Sequence, residues 1–250
     1  FFLAFTITMI VGFLSWLPAR NMKGEIRIRD GFIITVLFWL VLSTFGALPF
    51  ALSEETNLSF IDALFESISG LTTTGATVFT NLEDLPKSIL YYRQQLQWLG
   101  GIGIVVIAVS ILPMIGVGGM QIYKAETPGP IKDTKLTPRI AETANALFKI
   151  YVFLTVACAI AYWVAGMSWF DALSHSFSTI SIGGFSTYDE SLGHFGNNAV
   201  LTIASIFMVV SGLNFALHYT AWHARSIKSY ISDPEARLFV LVILFGILVT

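Results

Sequence analysis

The chain has 250 residues, of which 55% are hydrophobic and 12% are charged, and its mean hydropathy is +0.73. Soluble domains carry roughly 25% charged residues, so this composition excludes an ordinary soluble domain and predicts a membrane protein. The net charge of −2 gives no indication of a nucleic-acid partner, and the single Cys158 excludes an intramolecular disulfide.

A membrane-spanning helix needs about 20 mainly apolar residues. The sequence predicts five complete or nearly complete spans: 1–18, 31–52, 94–117, 145–166 and 199–222. A sixth begins near residue 236. Two shorter helices are predicted at 60–71 and 169–180. The chain begins and ends inside apolar stretches and has no initiator Met, so we expect it to be a piece of a longer protein.

The two short helices belong to a segment that occurs twice, because residues 59–78 align without gaps with residues 168–187. The identical pairs include Ser59 and Ser168, Asp62 and Asp171, and Gly75 and Gly184. Each copy begins with Ser-x-x-Asp, a capping-box pattern that predicts a helix start and a structural role for both aspartates. Each helix then runs into residues rich in Thr, Ser and Gly. This arrangement is typical of a re-entrant pore helix followed by an ion-selectivity loop.

The distribution of Lys and Arg predicts the orientation. Basic residues are concentrated in 19–30, 118–139 and 223–237, which the positive-inside rule places in the cytoplasm. The opposite side carries only Lys87 and Arg93 as basic residues. Both repeated segments then enter from the outside and return there.

We predict that the two loops hold a dehydrated monovalent cation with backbone carbonyl groups. The predicted ligands are Thr72, Thr73, Thr74 and Gly75 in the first loop and Ser181, Ile182, Gly183 and Gly184 in the second. Glycine permits the positive φ that aims successive carbonyls at one axis. Neither loop contains a carboxylate, which favours potassium over calcium, whereas one aligned Gly per loop leaves sodium exclusion open. The alternative is a Gly- and Thr-rich outer turn without a ligand.

Several other polar residues have two interpretations each. Glu66 aligns with His175 and is predicted to bond to the back of a filter strand, with the ion as the alternative. Asn214 and His218 share a helix face, and either line an inner vestibule or make a helix–helix hydrogen bond. His218 and His223 lie five residues apart, which does not suit a metal site. Asp233 is predicted to cap the last helix.

Glycines are frequent in the predicted span 94–117 and just after it. They are Gly100, Gly101, Gly103, Gly116, Gly118 and Gly119. We expect them to allow close helix packing, and a gating hinge is the alternative.

Three runs carry a resemblance to a known family: Gln97 to Gly103, Leu112-Pro113, and Gly116 to Pro130. With these, the chain resembles the TrkH branch of the Trk/Ktr/HKT superfamily of K⁺ transporters over essentially its whole length. The resemblance implies an all-α membrane fold of repeated outer helix, pore helix, filter loop and inner helix, with four such units around a pseudo-fourfold pore. Two complete units are present here.

The resemblance also implies a division of the chain. An accessory transmembrane helix and cytoplasmic connector occupy 1–30, and the first pore repeat occupies 31–120. A cytoplasmic linker (121–139), the second pore repeat (140–225), and a connector with the start of a third repeat (226–250) follow.

The function implied by the resemblance is K⁺ uptake across the bacterial inner membrane by a multi-pass protein, with Rb⁺ as an analogue and no organic cofactor. Its implied partners are a second copy, forming a homodimer, and a cytoplasmic TrkA-like ring of nucleotide-binding regulatory subunits. The alternatives are a Na⁺/K⁺-permeable or ion-coupled secondary transporter of the same superfamily, or a two-repeat chain that dimerises into one pore. An enzyme is not expected, because no Gly-x-Ser-x-Gly or His-Glu-x-x-His pattern is present.

Overall fold

The computed structural model describes residues 1–20, 28–103 and 140–249, and all regular structure in these ranges is helical. The α-helices are α1 (Phe2–Ala19), α2 (Ile28–Ala51), α3 (Phe60–Leu71), α4 (Lys87–Gly101), α5 (Ile140–Val164), α6 (Trp169–Ile180), α7 (Asn198–Gly212), α8 (Phe215–Ala224), α9 (Lys228–Ser232) and α10 (Pro234–Val249). Short 3₁₀ turns lie at Leu82–Asp84 and Ser191–Phe195. The predicted all-α fold is thereby confirmed, and α3 and α6 have the bounds predicted for the short helices.

The helices pack in two groups, and in each group a short helix packs against two longer ones. In the first, α3 packs against α2 and α4, and in the second, α6 packs against α5 and α7. Each group has its own buried cluster, with Ala63 of α3 in one and Ala172 of α6 in the other. Helix α4 also packs on α6. This contact joins the groups and brings the loops after α3 and α6 together.

Large apolar side chains cover the outside of several helices. Phe2 of α1 and Leu248 of α10 are each 84% exposed, and the exposed side chains of α1 are mostly apolar. Soluble proteins rarely expose contiguous apolar faces, so these surfaces are suited to contact with lipid. The surface therefore agrees with the composition.

Fewer helices meet a spanning criterion of length and composition than the five predicted. In the described ranges, Phe2–Ala19 and Asn145–Val164 are long and apolar enough to cross a membrane, and a third span results if α7 and α8 count as one. Helix α4 differs from its prediction because it begins at Lys87 rather than at residue 94. Residues 104–117 of that predicted span, the linker 121–139 and most of the basic residues in 19–30 and 118–139 lie outside the described residues.

The predicted span 199–222 is not one straight helix, because α7 and α8 are bent by 94° relative to each other, as in a broken span or a re-entrant loop. Leu213 leaves the helical conformation with ψ of 151°. The Val210 carbonyl accepts hydrogen bonds from the Leu213 N–H at 3.2 Å and from His218 Nε2 at 3.0 Å, and His218 Nδ1 lies 2.8 Å from the Tyr230 hydroxyl. Of the two interpretations of His218, these contacts support the helix–helix hydrogen bond.

Helix α10 begins as predicted. The Ala236 N–H donates to Asp233 Oδ1 at 2.9 Å, which confirms Asp233 as the cap.

Candidate functional site

The two short helices begin with the same side-chain cap. The Asp62 N–H donates to Ser59 Oγ at 3.2 Å, and the Ser59 hydroxyl donates to Asp62 Oδ2 at 2.7 Å. The equivalent distances at Ser168 and Asp171 are 3.1 and 2.6 Å. The predicted capping boxes and the structural role of both aspartates are confirmed, and the carboxylates lie at the positive ends of the helix dipoles.

The two short helices also end in the same way. The N–H of Thr74 donates to the Ser69 carbonyl and that of Thr73 to the Gly70 carbonyl, which is the Schellman pattern. The second copy repeats both bonds with Gly183 and Ile182 as donors. Each helix is therefore connected to its loop by the same type of turn.

The turn residue in each copy is β-branched where glycine is usual. Thr73 and Ile182 both have φ of +54°, in the left-handed region that β-branched residues rarely occupy. Holding such a residue there costs on the order of 1–3 kcal/mol, and strained backbone of this kind is concentrated at functional sites. This strain was not predicted, because glycine alone was expected to take positive φ.

Positive φ recurs two residues later, at Gly75 (+77°) and Gly184 (+86°). The aligned glycines thus have the conformation predicted for them. Within the described part of the chain, the carbonyls of Thr72, Thr73 and Thr74 accept no hydrogen bond.

The two loops touch each other. A Cβ atom on Gly75 would lie closer than 3.0 Å to the Gly183 carbonyl oxygen, whereas a Cβ on Gly184 would meet nothing within 4 Å. The Gly183 carbonyl also accepts a hydrogen bond from Gln97 Nε2 at 2.7 Å. Among the predicted ligands, Gly183 therefore has a carbonyl that is bound to protein.

Glu66 and His175 occupy equivalent places behind the loops. Both Glu66 oxygens accept from Thr77 Oγ1 at 3.0 Å, and Oε2 also accepts from the Val78 N–H at 3.1 Å. This confirms that Glu66 bonds to the back of the segment at the end of its loop.

In the second copy, His175 Nε2 lies 3.0 Å from Ser186 Oγ, and Nδ1 lies 2.9 Å from the Asp171 carbonyl. A carbonyl can only accept, so Nδ1 carries the proton and a neutral ring accepts the Ser186 hydroxyl at Nε2. The Glu66 carboxylate in the first copy and the His175 imidazole in the second therefore bond to aligned hydroxyl residues, Thr77 and Ser186.

The segment after the second loop is fixed to the cap of its own helix. The Thr187 hydroxyl donates to Asp171 Oδ1 at 3.0 Å, and the Tyr188 hydroxyl donates to Oδ2 at 3.3 Å. Burial, and then the Asp171 charge, raise the pKa of Tyr188. Farther out, Asp189 accepts the N–H groups of Asn81 and Leu82 at 2.8 and 3.2 Å. The outer segments of the two copies are thus joined.

Helix α4 contributes the residues that the sequence did not predict. Arg93 was assigned to an outer connector but is fully buried, and its Nε lies 2.7 Å from Glu66 Oε1. Gln97 is also fully buried. Their spacing of four residues could have indicated their role, because it places both polar side chains on one face of a helix. Apolar residues follow them in the sequence.

The glycines of α4 pack as expected. A Cβ on Gly100 would overlap the Leu71 carbonyl, and one on Gly101 would lie 2.5 Å from Ser181 Cβ. Close packing is therefore confirmed for these two glycines, one against the start of each loop. Gly103 has φ of +68°, and Gly116, Gly118 and Gly119 lie outside the described residues.

Comparison with known proteins gives the family. A family profile named TrkH and described as "Cation transport protein" matches residues 1–250. The chain belongs to the TrkH family. As a member of this family with apolar helices, it is a membrane protein.

Several curated Trk system proteins match all or nearly all of the chain. The Trk system potassium uptake protein TrkH of Halomonas elongata is 57% identical over 249 residues, which are 100% of this chain and 52% of the relative. TrkH of Escherichia coli (strain K12) is 57% identical over 236 residues, 94% of this chain and 49% of the relative. TrkG of the same strain is 47% identical over 250 residues, 100% of this chain and 52% of the relative.

A solved TrkH structure has the same fold. The crystal structure of the potassium transporter TrkH from Vibrio parahaemolyticus superposes with a TM-score of 0.82 at 50% identity, and the match covers 98% of this chain and 50% of that one. The chain thus spans about half the length of the curated relatives it matches.

Proposed function

We propose that the protein containing this chain takes up K⁺ across the bacterial inner membrane through a pore with a backbone-carbonyl filter. The chain would contribute two of four filter loops, formed by Thr72 to Gly75 and by Ser181 to Gly184. The observation that carries the proposal is that two loops with the same helix exit and the same positive-φ pattern lie against each other. The names of the relatives, all potassium uptake proteins, agree with this ion.

The electrostatics favour a monovalent cation. The carboxyl ends of α3 and α6 run directly into the loops, and helix carboxyl ends carry partial negative charge. The loops contain no carboxylate, and neutral carbonyls suit weakly hydrated ions such as K⁺ better than divalent ions. The filter would therefore attract a cation without holding it too tightly to release.

The proposed assembly is a multi-pass homodimer with a TrkA-like nucleotide-binding ring on its cytoplasmic side. Support comes from the family and from basic residues in the segments predicted to be cytoplasmic, including Arg225, Lys228 and Arg237. The proposed units are the two pore repeats, 31–120 and 140–225, each with its own buried cluster.

The test is ⁸⁶Rb⁺ uptake into proteoliposomes that contain the full-length protein, with K⁺ and Na⁺ as competitors. We expect uptake that follows the imposed membrane potential and that K⁺ inhibits better than Na⁺. Uptake that requires a proton or sodium gradient would instead show an ion-coupled transporter of the same family. No uptake by folded protein under either condition would refute the proposal.

A further inference from the structure

One face of α4 lies along the whole second loop. Residues spaced by four on a helix share a face, and three such residues contact the loop. Arg93 meets Ser186, Gln97 meets Gly183 and Phe185, and Gly101 meets Ser181. The order is reversed, so the loop runs antiparallel to the helix. A helix that belongs to the first copy therefore supports the loop of the second.

The contacts are hydrogen bonds from buried side chains to the loop backbone. Gln97 Nε2 donates to the Gly183 carbonyl at 2.7 Å, and Gln97 Oε1 accepts the Phe185 N–H at 3.0 Å. Arg93 Nη1 donates to the Ser186 carbonyl at 3.1 Å. Both side chains are 0% exposed, and hydrogen bonds in such surroundings are stronger than in water and costly to leave unmade. The loop cannot move without breaking them.

The same guanidinium also holds the first loop. Arg93 Nε donates to Glu66 Oε1 at 2.7 Å, and Nη2 donates to Thr77 Oγ1 at 3.0 Å. The guanidinium lies over the rings of Phe79 and Phe185, with its carbon 5.2 and 4.3 Å from the ring centroids. Phe185 of the second loop and Phe79, shortly after the first loop, therefore pack on the same cation in addition to the hydrogen bonds.

We infer that Arg93 and Gln97 are positioning residues that set the spacing between the two loops and thereby the preference for K⁺ over Na⁺. This inference rests on the proposed function. Discrimination between dehydrated ions by carbonyl groups depends on the number and placement of those carbonyls. A side chain that bonds behind both loops fixes that placement without touching the ion.

The experiment measures ion preference separately from the amount of active protein. In the full-length protein, ⁸⁶Rb⁺ uptake gives the ratio of the Na⁺ inhibition constant to the Rb⁺ KM. The test variants are Arg93→Lys and the double variant Glu66→Gln with Arg93→Gln, which removes the buried pair without leaving a lone charge. We expect the ratio to fall by about tenfold in the double variant. Lys87→Gln, which removes an exposed cation from the start of the same helix, is the matched control and should keep the ratio.

A purely structural role would lower the maximal rate and leave the ratio alone. A ratio within about twofold of wild type in a folded, Rb⁺-transporting double variant would overturn the inference. If the Arg93 variants do not fold, Gln97→Met is the deciding variant, because it keeps the side-chain volume and removes both hydrogen bonds to the second loop. We expect it to lower the ratio as well. An unchanged ratio in this variant overturns the inference.

Amide hydrogen exchange gives a readout that does not depend on transport. Gln97→Met should speed exchange in residues 183–186 and leave residues 60–66 of α3 unchanged. If wild type takes up no Rb⁺, faster exchange still shows that α4 holds the second loop, and only the proposed ion is wrong. Unchanged exchange in residues 183–186 overturns the positioning role itself.

Discussion

Replacing the two aligned glycines by alanine should have unequal effects, although the residues are equivalent in the repeat. Gly75 and Gly184 both have positive φ, +77° and +86°. Forcing an alanine into the left-handed region costs roughly 1–2 kcal/mol at either position. The backbone conformation alone therefore predicts similar destabilisation.

The neighbours of the two glycines differ. A Cβ at Gly75 would lie closer to the Gly183 carbonyl oxygen than real Cβ atoms approach other atoms, and at Gly184 it would meet nothing within 4 Å. Overpacking of this kind costs typically about 1–3 kcal/mol, so Gly75→Ala should cost roughly 2–5 kcal/mol in total and Gly184→Ala roughly 1–2 kcal/mol. Because Gly183 is held by Gln97, the clash strains both loops.

The assay combines thermal unfolding in detergent with ⁸⁶Rb⁺ uptake against Na⁺ for the full-length variants. We expect Gly75→Ala to unfold at a lower temperature than Gly184→Ala and to lose more of its preference over Na⁺. Equal effects, or a larger effect of Gly184→Ala on both measurements, would refute the reasoning from the inter-loop contact.

Three further predictions concern the supports of the loops. Ser168→Ala removes the cap of α6 and should lower stability by about 1 kcal/mol, as measured by thermal unfolding. Gly101→Ala gains at most about 1 kcal/mol of helix propensity, but its Cβ would lie 2.5 Å from Ser181 Cβ. Since overpacking costs about 1–3 kcal/mol, the variant should be less stable than wild type by the same assay. Asp189→Ala removes the acceptor of two amides of the first copy and should speed hydrogen exchange at residues 81–84.

The Gly101 and Asp189 variants each have a matched control. Gly12→Ala has no atom within 4 Å of its new Cβ and should not destabilise, so equal losses for Gly12 and Gly101 would contradict the packing argument. Glu190→Ala, next to Asp189, should leave exchange at residues 81–84 unchanged. A Ser168→Ala variant as stable as wild type would contradict the capping contribution.

The local features of the site were accessible from the sequence. The bounds of α3 and α6, their capping boxes and the positive φ of Gly75 all follow from rules that act within a few residues. Glu66 was placed correctly because its alignment with His175 put both on the same face of a short helix. These predictions needed only the repeat and short-range chemistry.

The features that were missed depend on contacts between distant parts of the chain. From the sequence alone, Arg93 was taken for an exposed residue on the outer side. In the structure it bonds to Glu66, 27 residues earlier, and to Ser186, 93 residues later. The bend after Gly212 depends on His218 and on Phe239 of α10, whose ring would lie 2.7 Å from a Cβ at Gly212. Periodicity and propensity carry no information on such pairings, which tertiary packing decides.

The placement of Glu66 also matters for how the protein is made. Chains are synthesised from the N-terminus, and early segments must be tolerable in their surroundings before later ones exist. An unpaired arginine is expensive in the bilayer. Because Glu66 precedes Arg93 and lies in the same copy, the ion pair of the guanidinium needs no residue of the second copy. The face of α4 that contacts the second loop therefore has its buried cation paired within the first copy.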